Sequence, residues 1–466
     1  MVQSFFSSIS TEAFFRHKTA IGGAFLLMVM LWGSVCLMSR QPGSTALVQF
    51  LLCSAVMVLC SVIVVWLCNR ANIEIPFYWI FISALILRLI SLLGDPLFED
   101  DYFRYLWDGF QTVTTNDPYS LAPAVFFDRD VPEIFEPVLS LINYPDIATV
   151  YGPVSQWLFA IGYLIAPAEI WPLQLLATIA DMLVLYVLFK LGAGNAMLLY
   201  AWSPLLLKEF SLTAHPDIYA ILCMVLSIYA AYKHKVWLAG VALALACGSK
   251  VFAILVLPYL LTRGWPRRDW VAFCVAFGLG LVAITAWFGD ITIWAPEGLV
   301  AMAESWLFNA PLYLVLLQFL EFQTTKLLLL MLFLVFGLIT FWRRLIRAPE
   351  VLSTHSNDSP QPVAEWHQTH AGFRGDWLYG LFLLCLPVVN PWYVAWLLPF
   401  AVLTPRWWSW TASLAVLLSY YYGANVLGAG ERPSSVIVAA EFGVILLLPL
   451  VVAVVMRVRG KSHKLI

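Results

Sequence analysis

Long apolar runs separated by short polar turns recur along the whole chain. Stretches such as "AIGGAFLLMVMLWGSVCLM" from Ala20 and "VIVAAEFGVILLLPLVVAVVM" from Val436 are long enough to cross a hydrocarbon core of ~30 Å. The pattern predicts membrane helices near 19–38, 45–68, 77–94, 172–189, 195–208, 212–232, 236–249, 251–262, 270–288, 326–342, 377–390, 392–404, 407–423 and 435–456. Several are only about 13 or 14 residues, below the ~17–25 of a full crossing, so neighbouring helices must sheathe them or a cavity must break them. The apolar piece 154–167 would upset the parity of crossings and is placed as a juxtamembrane or re-entrant helix. With 62% hydrophobic residues, 12% charged residues and 21 Trp, no water-soluble core could absorb this surface. The fold class expected is an all-α polytopic membrane protein, because only intra-segment hydrogen bonding satisfies the backbone in lipid.

The distribution of Lys and Arg sets the orientation. Basic residues gather at Arg16 and Lys18, Arg70, Lys233 and Lys235, Arg263 to Arg268, Arg343 to Arg347, Arg406, and Arg457 to Lys464. Placing these in the cytoplasm puts both ends inside, and puts the loop 95–153, the segment near 215, the region 289–325 and "NPWY" at 390–393 outside. The first apolar run is too long for a signal-peptide core and no small-residue cleavage site follows it, so it is expected to be retained. The domain plan is an N-terminal hairpin at 1–76, a membrane module at 77–262 containing the outer loop 95–153, further spans and an outer loop at 263–346, a cytoplasmic linker at 347–376, and C-terminal spans at 377–466. The linker carries His355, His367 and His370 without metal-site spacing. The eight cysteines lie in or beside apolar segments with no CxxC pair, which fits packing rather than a disulfide framework or zinc.

Chemistry concentrates in "PLFEDDYFRYLWDGF" at 96–110. If this stretch is helical, Asp101, Arg104, Tyr105 and Asp108 fall on one face at i, i+3, i+4 and i+7, and Asp100–Arg104 and Arg104–Asp108 are i,i+4 pairs. A solvated cap with acids at a helix N-terminus explains one acid. It does not explain Glu99, Asp100 and Asp101 in a row beside Tyr102, Phe103, Tyr105, Trp107 and Phe110. Acids accept from sugar hydroxyls, and rings stack on the apolar face of a hexose. The rest of the loop, with "NDPYSLAP" and "NYPDIATVYGPVSQ", has the turn chemistry of a folded module of juxtamembrane helices.

These blocks, with "YAWSPLLLKEFSLTAHPDIYA", "SK" at 249–250 and "NPWYVAWLLPF", resemble bacterial members of the GT-C superfamily, glycosyltransferases that use polyprenyl-phosphate-linked sugars. The resemblance covers roughly 77–405. It implies a bundle of about 12–14 transmembrane helices in a bacterial inner membrane, with the active site on the periplasmic or extracellular side. It also implies an inverting hexosyltransferase, most simply a mannosyltransferase, with an acid of the outer loop as general base. Asp101 is preferred over Asp100 because it shares a face with Arg104 and Asp108, and a second acidic position maps to Asp217. Two departures stand out: the acidic loop follows the third span rather than the first, and Asp117 interrupts the usual Asn-Pro-Tyr order.

For substrate binding the sequence offers Glu99, Arg104, Asp108, Tyr151, Lys208, His215, Lys250, Asn390 and Tyr393. Lys208 and Lys250 interrupt apolar sequence at a cost of ~2.5–3.5 kcal/mol for a central charge; Lys208 has Glu209 beside it, whereas Lys250 has no nearby acid in sequence. His215 and Asp217 flank Pro216, which would also serve an ordinary helix start. The expected partners are a lipid-linked sugar donor, membrane lipid, and a glycan, lipid or protein acceptor, with no nucleic acid. A divalent cation on the acids is compatible with the sequence but not required by it. A transporter or flippase for a lipid-linked sugar is the rival reading, and a non-catalytic scaffold a further one.

Overall fold

A computed structural model describes residues 2–261, 265–289, 291–294, 297–352, 375–404, 407–423 and 435–458. Most of the expected linker, with His355, His367 and His370, lies outside the described residues. Among those described the secondary structure is helical, with one isolated bridge between Phe308 and Val388. The chain is an all-α polytopic membrane protein. Five helical segments are long and apolar enough to span a bilayer: Lys18–Ser39, Ala46–Arg70, Trp171–Lys190, Arg267–Phe288 and Phe322–Trp342. Met197–Leu212 and Asp217–Tyr232 form a further, interrupted pair, and shorter apolar helices include Phe77–Ser91, Pro153–Ile165, Val236–Ser249 and Gly375–Cys385. The lipid-facing surface shows in the spacing of exposed residues. Along Arg267–Phe288, Val271, Val275, Leu279 and Val282 are all exposed, a stripe at helical period.

Contacts divide the chain into two units, each assembled from distant pieces of sequence: Met1–Phe98 with Asp181–Thr213 and Asn390–Ile466, and Glu99–Ala180 with Ala214–Val389. In the first unit, polar side chains stitch apolar helices together. The indole of Trp32 donates to Ser91 at 2.8 Å and that of Trp202 to Ser83 at 3.1 Å. Arg88 is wholly buried. Its Nε donates to Asp181 at 2.6 Å and one Nη to the carbonyl of Ala201 at 2.8 Å, while Tyr200 donates to the other Asp181 oxygen at 2.6 Å. Leu207–Leu212 forms a π-helical turn, an element that recurs where a helix carries special side chains.

The second unit is built around an aromatic core of Tyr105, Trp107, Phe110, Phe135 and Phe159. Tyr105 stacks on Phe159 at 5.0 Å and Phe110 on Phe135 at 4.6 Å. The helices Asp101–Thr115 and Pro153–Ile165 meet at Gly109, where an added Cβ would lie 2.4 Å from the carbonyl oxygen of Phe159, so no larger residue fits this crossing. The helix expected at 154–167 is present as Pro153–Ile165. The expected spans 251–262 and 392–404 appear as shorter apolar helices, Val251–Leu260 and Pro391–Leu403, which change between 3-10 and α geometry along their length. Pro258 and Pro399 lie within them, and each lacks the amide donor of a regular helix.

Candidate active site

The charged stretch forms the helix Asp101–Thr115, with Asp100 at its N-cap position and Asn116 closing it in a left-handed turn. The face expected from spacing is real, and it points inward. Asp108 is completely buried. It accepts from Arg104 Nε at 2.8 Å, from Gln156 Nε2 at 3.1 Å, and from the hydroxyl of Thr149 through a short hydrogen bond. Arg104 also donates to the carbonyl of Ile147 at 2.8 Å. A buried carboxylate with an arginine and two neutral donors is well compensated. The network latches the segment 147–156 onto the helix, and the amide of Tyr151 is held on Thr149 Oγ1 at 3.2 Å.

The acids at the helix start are only partly covered. Asn143 Nδ2 spans them, donating to Asp100 at 2.5 Å and to Asp101 at 3.2 Å. The Tyr151 hydroxyl donates to the second oxygen of Asp101 at 3.3 Å. The Asn143 amide thus bridges the two carboxylates as a shared donor.

Behind this pair runs a buried relay. Glu99 and His215 Nε2 are 2.6 Å apart, and His215 Nδ1 lies 2.6 Å from the Tyr105 hydroxyl. Ala214, just before the histidine, takes a left-handed φ of 58°, an unusual conformation for alanine that the packed surroundings must hold. Burial, followed by the nearby Tyr151, Asp101 and Glu99, pushes the Tyr105 phenol well above its usual range, so it stays a neutral hydroxyl. Tyr105 meets Tyr151 edge to face at 5.1 Å, and the relay thereby abuts the residue that holds Asp101.

Asp217 opens the helix Asp217–Tyr232. Its partner is Lys250 at 3.5 Å, which stands at the end of Val236–Ser249. The acid that Lys250 lacks in sequence thus arrives from another helix. The lysine side chain is 21% exposed while that of Asp217 is fully covered. The "VYGPVSQ" and "SK" segments meet here. A Cβ on Gly152 would lie 2.4 Å from the carbonyl oxygen of Gly248, and the hydroxyls of Ser155 and Ser249 are 3.0 Å apart.

Glu99, Asp100, Asp101, Arg104, Asp108, Tyr151, His215, Asp217 and Lys250 therefore all belong to one unit. Lys208, Asn390 and Tyr393 belong to the other. Lys208 is buried there, 3.3 Å from Glu209 and 2.5 Å from the hydroxyl of Tyr420; Asn390 caps and Tyr393 lies within the short helix Pro391–Val394. Residues that sequence reasoning did not single out are Asn143, Thr149 and Gln156. All three lie in the quoted block "NYPDIATVYGPVSQ", and they act through side-chain amide and hydroxyl contacts that have no spacing signature.

A helical membrane protein that keeps half-covered carboxylates among aromatic rings, with a lysine–aspartate pair on the same unit, has the equipment of a membrane glycosyltransferase. The family described as alpha-(1->6)-mannopyranosyltransferase, N-terminal domain, matches residues 19–264, just over half of the chain, and the protein belongs to that family. The matched region contains every site residue of the acid-bearing unit described above. Neither curated proteins nor solved structures provide a match.

Proposed function

We propose that the protein transfers a mannosyl unit from a polyprenyl phosphate carrier to an acceptor on the outer face of the membrane, with Asp101 as general base. The observation that carries this reading is the half-exposed Asp101, oriented by Asn143 and Tyr151 at the N-terminus of its helix. In such a reaction the acceptor hydroxyl attacks the anomeric carbon while the base removes its proton, and the carbon–oxygen bond to the lipid phosphate breaks. The leaving phosphate carries the developing charge, which a fixed cation stabilises.

Burial divides the roles. Asp217 has no exposed side-chain surface and is out of reach of an acceptor hydroxyl, so it positions Lys250. Lys250 keeps an open end and is the cation assigned to the phosphate. Asp100 is tied more tightly to Asn143 than Asp101 is, which leaves Asp101 the better base and Asp100 a ligand for hydroxyls. Asp108 and Arg104 hold the loop that carries Tyr151, and Glu99 and His215 brace Tyr105 behind it. The domain division proposed with this function keeps 77–262 as the catalytic module and 1–76 as an added hairpin.

The test is transfer of labelled mannose from synthetic polyprenyl-phosphate-mannose into a membrane acceptor extract, comparing wild type with Asp101→Asn. Loss of product in a folded variant is expected. Equal product from both removes Asp101 as base, and no product from wild type removes the donor.

A further inference from the structure

Asp101 is not an isolated acid. The hydroxyl of Tyr151 donates to its Oδ2 at 3.3 Å, and a side-chain hydrogen bond joins Tyr151 to Tyr105. The Tyr105 hydroxyl lies 2.6 Å from His215 Nδ1, and His215 Nε2 lies 2.6 Å from a carboxylate oxygen of Glu99. Asp101, Tyr151, Tyr105, His215 and Glu99 thus form one unbroken line of hydrogen bonds inside a single unit. Phe159 seals its middle. Its ring stacks on Tyr105 at 5.0 Å and meets Tyr151 edge to face at 5.6 Å. Tyr105 and His215 are buried, whereas the Glu99 side chain keeps 9% of its surface open. The line starts at the half-covered acid, runs through the packed interior and ends at a group that is partly exposed.

Bracing Tyr105 alone does not call for this chemistry, because buried pairs of ionisable groups are often replaceable by apolar residues without loss of stability. The line does have what a proton path needs. A phenol hydroxyl donates, accepts and rotates between partners, so Tyr151 and Tyr105 pass a proton on without either becoming an anion. A neutral imidazole has one accepting and one donating nitrogen, and an ordinary imidazole is a stronger base than an ordinary carboxylate. A carboxylate against the second nitrogen stabilises the imidazolium that forms when the first is protonated. The 3.3 Å contact stands at the substrate end, where catalytic hydrogen bonds tighten on binding.

We propose that Tyr151, Tyr105 and His215 are a proton relay that carries the acceptor's proton from Asp101 to the His215–Glu99 pair. The proposal rests on Asp101 being the base, and adds where the proton goes. The acceptor O–H bond breaks as its oxygen forms the new glycosidic bond, and the proton joins Asp101. Asp101 gives a proton to the Tyr151 oxygen, Tyr151 gives its own to Tyr105, and Tyr105 gives its own to Nδ1 of His215. Both phenols end as they began, and the net change along the relay is one proton gained by His215. The electron pair of the donor's anomeric C–O bond leaves with the lipid phosphate. His215 then releases a proton from Nε2 to Glu99 and so to water, which readies the relay for the next acceptor.

The experiment uses the full chain in lipid nanodiscs with polyprenyl-phosphate-mannose and the membrane acceptor extract. Tyr105→Phe keeps the ring and removes one link. Its single-turnover rate should fall about tenfold, less than the 10²–10⁴-fold worth of a general base, because Asp101 still takes the first proton; donor KM should not change. With rising deuterium content of the water, the wild-type rate should fall along a bowed curve, as when several protons move together. In Tyr105→Phe the line should be straight. Glu99→Gln keeps an acceptor for His215 Nε2–H but not the charge, so a mere brace predicts the wild-type rate and the relay predicts a loss. Nitrogen NMR of histidine-labelled protein reads the line without turnover: Asp101→Asn should shift the ring nitrogens of His215, and Tyr105→Phe should cancel that response. Transfer lost in Asp101→Asn but at the wild-type rate in Tyr105→Phe or Glu99→Gln overturns the relay and leaves the base in place. Full transfer by Asp101→Asn overturns the base, and the relay with it. His215 resonances unmoved by Asp101→Asn overturn the relay whatever the transfer assay shows.

Discussion

Lys208 and Lys250 pose the same problem in the sequence, a cation interrupting apolar residues, and the two units solve it differently. Lys208 has no exposed side-chain surface. It contacts Glu209 and Tyr420 and lies 4.2 Å from the Tyr420 ring centroid, while Tyr420 bonds Glu209 in turn. Its charge is met by Glu209 on the same π-helical turn and by Tyr420 from another helix. Lys250 meets the Asp217 carboxylate at the longer distance of 3.5 Å and keeps part of its surface open. Charge held among apolar helices persists either because it pins them together or because it acts on something that enters. On the function proposed above, Lys250 with its exposed end is the second case. The same contrast separates Arg88 and Asp181, both covered completely, from Asp100 and Asp101, which are only partly covered.

The largest effect expected from this contrast is at Asp101. Replacing a general base lowers turnover by about 10²–10⁴-fold, so Asp101→Asn should nearly abolish transfer while leaving thermal unfolding in detergent unchanged. Lys250→Met comes next, with about 10²–10³-fold lost from turnover, the order seen when one group stabilising developing negative charge is removed. Lys208→Met should do the opposite, lowering the unfolding temperature while the activity of the folded fraction persists, because Glu209 is left buried beside one fewer cation. A Lys208→Met protein that unfolds normally but no longer transfers mannose would break the distinction between the two lysines.

Arg88 sharpens the comparison within the first unit. Removing one partner of a buried pair destabilises by about 3–5 kcal/mol, whereas replacing both with apolar residues is often neutral. Arg88→Leu should therefore unfold far more readily than wild type in equilibrium denaturation. The double variant Arg88→Leu with Asp181→Leu should recover most of the loss, reduced by the hydrogen bond that Tyr200 then lacks. A double variant as unstable as the single one would show that Arg88 serves something besides its pairing with Asp181.

Much of this was legible in the sequence. Helix Val236–Ser249 matches its expected boundaries because Lys235 and Lys250 bracket an unbroken apolar run. The face bearing Asp101, Arg104, Tyr105 and Asp108 followed from spacing alone. Spacing could not tell which way that face points, since an acid is equally at home in water and in a buried network of Arg104, Thr149 and Gln156. The Lys250–Asp217 pair was hidden for another reason: its partners lie on separate helices, and only tertiary packing brings them together. Arg88 and Asp181 did leave a trace. Each interrupts apolar sequence as Lys208 and Lys250 do, and the same rule applied evenly would have found them.

The smallest expected effect concerns Tyr105, and it tests whether the buried relay is as closed as its geometry indicates. The phenol lies well above its ordinary range, chiefly through burial, whereas in the unfolded chain it titrates near ~10. A folded-state pKa above the unfolded one means that the native state holds the proton more tightly. The stabilisation is complete below about pH 10 and fades as pH rises from there towards the folded value. Tyr105→Phe removes both the hydroxyl's contact with His215 and this alkaline term. At neutral pH the variant should be less stable by about 1 kcal/mol, the usual net worth of one hydrogen bond. Above pH 10 the wild type should lose stability faster than the variant, so that the two denaturation curves converge. Curves that stay parallel through that range would mean that the Tyr105 hydroxyl reaches solvent, and that Glu99, His215 and Tyr105 are not a sealed support behind Asp101.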